Sequence, residues 1–170
     1  AAAVSNGHFG VRRGMEEYCI TRATLPVALN PIMWERIQRT YRPGEKPVTF
    51  VPHGFEGEFF TQHPEPYSPV EGRFNVCYTG ALTKNRGIDL LVHSCTLLLE
   101  KYPSLRLHLI GPYGFGIPAD LKRTIETSDF IMRTELPRSA IPAALTDMDL
   151  LVLPYNPQER YLNLTYPTKI

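Results

Sequence analysis

Apolar residues in the second half of the chain alternate between short unbroken runs and stripes at helical spacing. Phe74 to Gly80, Leu105 to Ile110 and Asp149 to Pro154 read as strands, and Asp129 to Met132 as a shorter one. Between the first two, Ile88, Leu91, Val92, Cys95, Leu98 and Leu99 form one apolar stripe, predicting a helix from Ile88 to Tyr102 that Pro103 and Ser104 stop. Pro118 stands at a helix-opening position before Ala119 to Thr127, and Ser139 opens a run from Ala140 to Thr146. Strands alternating with helices predict an α/β fold with a doubly wound, parallel, Rossmann-like sheet. Leu150-Leu151-Val152-Leu153 carries no polar position, so this strand is expected to be the most buried.

Upstream, Gly14 to Ala23 reads as a helix, Pro26 to Leu29 as a short strand, Pro31 to Tyr41 as a helix with proline at its start, and Pro47 to Val51 as a strand. The stretch from Pro52 to Glu71 is proline-rich and poor in aliphatics, which suits a linker. The expected organisation is therefore the tail of a preceding α/β domain over 1–51, a linker over 52–71, and a second lobe over 72–170. The chain opens inside an unfinished first domain and stops at Pro167-Thr168-Lys169-Ile170, where a new helix should start. The sheet is expected to be incomplete at both ends, and the chain a fragment.

Bulk properties remove several function classes. Of 170 residues, 43% are apolar and 21% charged, with a formal net charge of +1, which offers no basic footprint for nucleic acid. No apolar run is long enough for a transmembrane segment, and the start lacks a secretory layout. Cys19, Cys77 and Cys95 lack CxxC spacing, and the latter two fall at apolar positions, reading as small buried hydrophobes. These features suit a reducing, cytoplasmic setting.

Ligands of open α/β sheets lie outside the carboxyl ends of the strands. Four loops occupy that edge: Gly80 to Gly87, Gly111 to Gly116, Arg133 to Pro137, and Tyr155 to Tyr166. Lys84, Arg86, Arg133 and Lys169 are candidates to converge there on an anion. The strand–glycine–cation–helix order around Lys84 and Arg86 suits a phosphate, because backbone N–H groups and the helix dipole add positive potential. The Gly111 loop is spaced G-x-x-G-x-G, which is not the dinucleotide fingerprint, and no P-loop pattern occurs. No nicotinamide or ATP-hydrolysing chemistry is therefore expected, and no cofactor. Asp147-Met148-Asp149 looks like a D-x-D metal site but precedes its strand, so it reads as a turn, and the five histidines lack ligand spacing. His53, beside Gly54, is a loop histidine, and no catalytic residue can be assembled by spacing.

Taken in order, several blocks resemble the family-four (group 1) glycosyltransferases of GT-B fold. Phe50-Val51-Pro52-His53-Gly54-Phe55 is similar to the segment joining that family's lobes, and Tyr78-Thr79-Gly80-Ala81 through Arg86-Gly87-Ile88-Asp89-Leu90-Leu91 to the first βα turn of the donor lobe. Tyr102-Pro103 with Leu105 to Gly111, Ile141-Pro142-Ala143-Ala144-Leu145 with Asp149 to Pro154, and Tyr166-Pro167-Thr168-Lys169-Ile170 continue the likeness. The resemblance implies transfer of a sugar from a nucleotide-diphosphate donor to an acceptor hydroxyl, on a glycan, lipid or small molecule, without an obligatory metal.

It also implies roles. Gly80, Lys84, Arg86, Pro167, Thr168 and Lys169 would hold the diphosphate, and Gly111, Arg133, Thr134 and Leu136 would lie around the nucleobase and ribose. Ala81 stands at the family's usual Arg position and Arg86 at its usual Lys position, with Lys84 placed to compensate. Arg86→Ala is accordingly expected to weaken nucleoside-diphosphate affinity more than Lys122→Ala. The isolated chain is expected to be inactive, and the full-length protein to be cytoplasmic or peripheral at a membrane surface. The competing readings are a noncatalytic α/β nucleotide-binding or interaction module and a GT-B-like nucleotide-sugar epimerase.

Overall fold

The computed structural model describes residues 13–43, 47–52, 54, 57, 67 and 69–155. They divide into two compact units, residues 13–54 in one and 57–155 in the other.

The first unit begins with a helix over residues 13–22 (α1). Strand β1 (Val27–Ala28), helix α2 (Pro31–Tyr41) and strand β2 (Thr49–Phe50) follow, and β1 pairs in parallel with β2. Asn30 sets the start of α2: its side chain accepts the Met33 N–H at 2.8 Å, while Pro31 needs no partner for a missing N–H. Ile37 and Tyr41 of α2 bury against Ala28, with Ile20, Met33 and Val48 around them. The Trp34 indole donates to the Val48 carbonyl at 2.7 Å, tying the helix to the approach of β2. Both strands are shorter than their apolar runs suggest.

The second unit is a parallel sheet of four strands: β3 (Phe74–Thr79), β4 (Leu105–Ile110), β5 (Ile131–Thr134) and β6 (Leu150–Leu151), in the order β5-β4-β3-β6. Helices α3 (Ile88–Leu99), α4 (Ala119–Thr127) and α5 (Ile141–Thr146) connect them. Strand alternation sorts the side chains onto two faces. Val76 and Tyr78 of β3 and Leu105, Leu107 and Leu109 of β4 pack with Ile88, Leu91, Val92 and Cys95 of α3 and Leu121 and Ile125 of α4. On the opposite face Cys77 and Ile110 pack with Ala144 of α5, beside Tyr67, Leu136 and Leu145. Covering of both faces by helices is the doubly wound Rossmann-like arrangement expected from the sequence. Complete burial of a side chain such as Leu107 contributes about 1.5–3 kcal/mol.

Some elements differ from their expected form. β6 is short, and Leu150 and Leu151 are 46% and 51% exposed, not the most buried. The reason is position: among the described residues β6 is an edge strand paired only with β3. β5 starts two residues later than its apolar run, because the Ile131 N–H closes a turn on the Ser128 carbonyl. Leu98 is 43% exposed, since it lies roughly 80° around α3 from Ile88, whereas Leu99 lies roughly 20° away and packs against the core.

A polar network runs through the second face. His108 of β4 is fully buried; one ring nitrogen, Nε2, meets Asn75 Oδ1 at 2.8 Å and the other, Nδ1, meets the Tyr67 hydroxyl at 2.8 Å. The Asn75 amide NH₂ donates to the Val70 and Arg73 carbonyls, so its oxygen accepts, which puts the His108 proton on Nε2 and makes Tyr67 the donor to Nδ1. Burial lowers the His108 pKa and raises that of Tyr67, both favouring the neutral pair. Asp149 completes the arrangement: its carboxylate accepts the Asn75 N–H at 2.7 Å, and its own N–H donates to the Asn75 carbonyl at 3.0 Å. Asp149 thus docks β6 onto β3 at the start of the sheet, as the reading of Asp147-Met148-Asp149 as a turn requires.

Candidate functional site

Strand order locates a crevice. α3 and α4 cover one face and α5 the other, so the chain leaves β3 towards one side and reaches the neighbouring β6 from the other. In such sheets ligands lie beyond the carboxyl ends of the strands, at the loops that follow them. Here those loops are residues 80–87 after β3 and residues 152–155 after β6.

Backbone hydrogen bonds draw the neighbouring loops together. The Gly80 N–H donates to Ile110 (2.8 Å), the Leu82 N–H to Pro112 (2.9 Å), the Gly114 N–H back to Leu82 (3.0 Å), and the Gly111 N–H to Thr134 (2.8 Å). Two glycines make this closeness possible. A Cβ on Gly111 would sit 2.3 Å from the Gly80 oxygen, and one on Gly87 would sit 1.6 Å from the Pro154 oxygen. Gly87 also has φ +74°, in the left-handed region that glycine occupies without strain. The turn after β3 therefore lies directly against the segment after β6.

Lys84 and Arg86 occupy a single 3₁₀ turn between Thr83 and Gly87. Lys84 is exposed, whereas Arg86 is half-buried and its charge acts on the Tyr78 hydroxyl. Tyr78 is fully buried and its hydroxyl also donates to the Ala81 carbonyl at 3.2 Å. Burial raises the Tyr78 pKa, an effect the Arg86 charge opposes. Tyr155, after β6, packs against the same core and acts electrostatically on Tyr78. Arg86 thus lies on the turn that meets the segment after β6.

Arg133 is placed differently. It lies within β5, not in the loop expected from Arg133 to Pro137, two strands from β3 and so about 10 Å away across the sheet. Its guanidinium stacks 4.5 Å from the Tyr113 ring centroid, contacts the Gly111 carbonyl at 3.4 Å, and pairs with Glu135. Lys122 sits over the same ring at 5.0 Å, so it is not remote from the loops, and Lys101 at the opposite edge is a cleaner reference for substitutions. Thr134 contributes its carbonyl to Gly111, while Leu136 packs against Cys77, Ile110 and Ala144 beneath the loops. Pro167, Thr168, Lys169 and His53 lie outside the described residues.

The structure therefore brings Gly80, Gly111 and Thr134 into one stitched edge, puts Lys84 and Arg86 on one turn of it, and holds Arg133 against Gly111 while pairing it with Glu135. Sequence reasoning missed Tyr78, Tyr113, Glu135 and Tyr155. Tyr78 looks like any aromatic in an apolar strand, and only the Gly-Pro-Tyr-Gly setting of Tyr113 hinted at a special turn. The buried thiols behave as apolar groups, burial pushing the Cys77 pKa up to about 12. Among the described residues no three His, Cys, Asp or Glu side chains cluster closely enough to hold a metal ion, and no described helix is long and apolar enough to cross a membrane.

The fold places the chain structurally: its Rossmann-like α/β sheet matches a portion of the GT-B glycosyltransferases. One similar structure is TarM, with a TM-score of 0.59 and 16% identity over 80% of this chain and 26% of TarM. A variant of S. aureus TarM solved with fondaparinux, alpha-GlcNAc-glycerol and UDP gives the same TM-score and identity, covering 80% of this chain and 27% of that one. A chain of the GtfA/B complex aligns with a TM-score of 0.45 at 19% identity, over 71% of this chain and 24% of that one. The chain spans about a quarter of the length of these structures. No family model and no curated protein matches the sequence. At such identities the likeness shows the fold alone.

Proposed function

We propose that the second unit is the donor-binding part of a glycosyltransferase and that it holds the diphosphate of a nucleotide sugar in the crevice between β3 and β6. The observation that carries this reading is the Gly87–Pro154 approach, which sets the turn bearing Lys84 and Arg86 against the segment after β6. Lys84 adds a second cation on the same turn, and the twelve-residue helix α3 begins immediately afterwards, its N-terminal N–H groups adding positive potential. S. aureus TarM, which shares this fold, was solved with UDP. On this reading residues 1–51 belong to the acceptor lobe, 52–71 join the lobes, and Pro167, Thr168 and Lys169 complete the diphosphate site.

The chemistry follows from charge. The anomeric carbon–oxygen bond of the donor breaks, its electron pair leaves on the nucleoside diphosphate, and the acceptor oxygen forms the new bond while its proton departs. Cations fixed before the reaction stabilise the growing negative charge without reorganising. Titration of UDP, GDP and ADP into the chain tests the site. One of them should bind, Arg86→Ala should weaken it by about 10- to 100-fold, the range for a charge-assisted hydrogen bond, and Lys101→Ala should leave it unchanged. Absence of binding, or equal losses for both substitutions, would favour a noncatalytic module.

A further inference from the structure

The segment ahead of β3 is fastened to the sheet at two points, and both fastenings lead to His108. At the far end the Tyr67 hydroxyl donates to Nδ1 at 2.8 Å, and the two rings meet edge to face with centroids 5.7 Å apart. At the near end Asn75, held by Nε2 at 2.8 Å, donates its amide NH₂ to the Val70 and Arg73 carbonyls. The two fastenings respond differently to a proton on the ring. An imidazolium donates from both nitrogens, so Nε2 keeps Asn75 while Nδ1 no longer accepts from Tyr67.

We propose that Tyr67 and His108 form a pH-sensitive latch, closed while the imidazole is neutral, that frees the Tyr67 end of the segment when Nδ1 takes up a proton and leaves the turn at residues 70–73 in place. The surroundings of the ring favour release over a charged latch. Cys77, its register partner on β3, has a thiol that burial keeps protonated, and α5, which packs on this face, carries no ionisable side chain. Met132 lies beside it on β5, while Arg133 falls on the opposite face. The Asp149 carboxylate is taken by the Asn75 N–H, Arg106 bonds back to the Pro103 and Leu105 carbonyls, and Glu71 and Arg73 are exposed. Among the described residues no carboxylate is bonded to the ring, so a buried imidazolium has no counter-charge, whereas water can solvate it once Tyr67 departs. Burial holds the folded pKa of His108 below its ordinary 6.5, so proton uptake favours the open form, and opening grows as pH falls from about 6.5 towards the depressed value. On the reading of residues 52–71 as the join between the units, release of residues 67–69 adds about 10 Å of chain to that join.

An NMR titration of the whole chain from about pH 7.5 to about pH 4.5, with labelled histidine nitrogens and tyrosine rings, tests the latch across the ordinary His range. At the upper end His108 should carry its proton on Nε2. The Tyr67 ring signals should then shift with the same midpoint as the imidazole, while the Leu107 N–H, which donates to the Phe130 carbonyl within the sheet, stays protected from exchange. Tyr67→Phe removes the hydroxyl and keeps the ring, and loss of one bond to the neutral imidazole should raise the His108 midpoint by about 0.4–1 unit. A Tyr67 ring indifferent to the titration, a His108 that stays neutral throughout, or a midpoint unmoved by Tyr67→Phe would each overturn the latch. Loss of Leu107 protection at the same midpoint would overturn it too, since the sheet would then be unfolding as a whole. Should Tyr67→Phe fail to fold, the wild-type titration decides alone. None of these readouts involves a nucleotide, so the latch and the donor-site reading fail separately.

Discussion

Arg86 and Arg133 both stand at the carboxyl edge of one parallel sheet, yet their surroundings differ. Arg86 follows β3 on the turn that meets the segment after β6, while Arg133 lies within β5, stacks on Tyr113 and is paired with Glu135. The partner decides what a loop cation can do. A carboxylate such as Glu135 opposes the field of Arg133 and has to be displaced before an anion can bind there. Position along the sheet adds to this, because among the described residues the loop after β3 lies against the segment after β6.

The largest expected effect attacks the geometry that separates the two arginines. Gly87→Ala forces a Cβ into the Pro154 carbonyl and a side chain into the left-handed region, so it should cost about 2–4 kcal/mol in denaturant unfolding. A loss under about 0.5 kcal/mol, the range of an unconstrained surface site, would show that the loops are not in contact. Next comes the direct comparison. Arg86→Ala should weaken nucleoside-diphosphate binding by about 10-fold or more, and Arg133→Ala by about threefold or less, as measured by calorimetric titration. A reversal of that order would move the anion site towards β5.

A smaller effect concerns the polar network below the loops. His108 has a folded-state pKa below its ordinary 6.5 because burial disfavours the imidazolium. The unfolded chain therefore takes up a proton that the folded chain refuses, so stability is intact above about pH 6.5 and declines as pH falls towards the depressed folded value. Unfolding curves measured between pH 7.5 and pH 5, a span of about 2.5 units around the ordinary His value, should show this decline in the wild type and less of it in His108→Gln. The smallest effect belongs to Glu135→Gln. Releasing Arg133 from its pair should change stability by less than about 1 kcal/mol, since the carboxylate is 57% exposed, and should tighten anion binding by at most about threefold. A larger gain would mean that Arg133 also reaches the anion.

The sequence was most legible where local pattern and tertiary environment agree. The strands at Phe74–Thr79 and Leu105–Ile110 and the helices Pro31–Tyr41 and Ala119–Thr127 stand where their apolar periodicity and prolines place them. The carboxyl-edge loops were legible too, since βα alternation alone says which loops share that edge. β6 misled because its four consecutive aliphatics resemble those of a covered strand, whereas among the described residues it is paired on one side only. His108 and Asn75 gave no signal, because one polar residue in a strand looks the same whether its partner is water or a buried phenol.

By itself the sequence determined the alternation of strands and helices, the parallel sheet, and the presence of glycine and cations in the turn after β3. Those depend on periodicity and turn chemistry, which act over a few residues. Only the tertiary structure decided which turn meets the segment after β6, which cation pairs with a carboxylate, and which buried polar groups find one another. Such choices depend on strand order and on side chains far apart along the chain, and their energies arise only once backbone and ring approach within hydrogen-bonding distance.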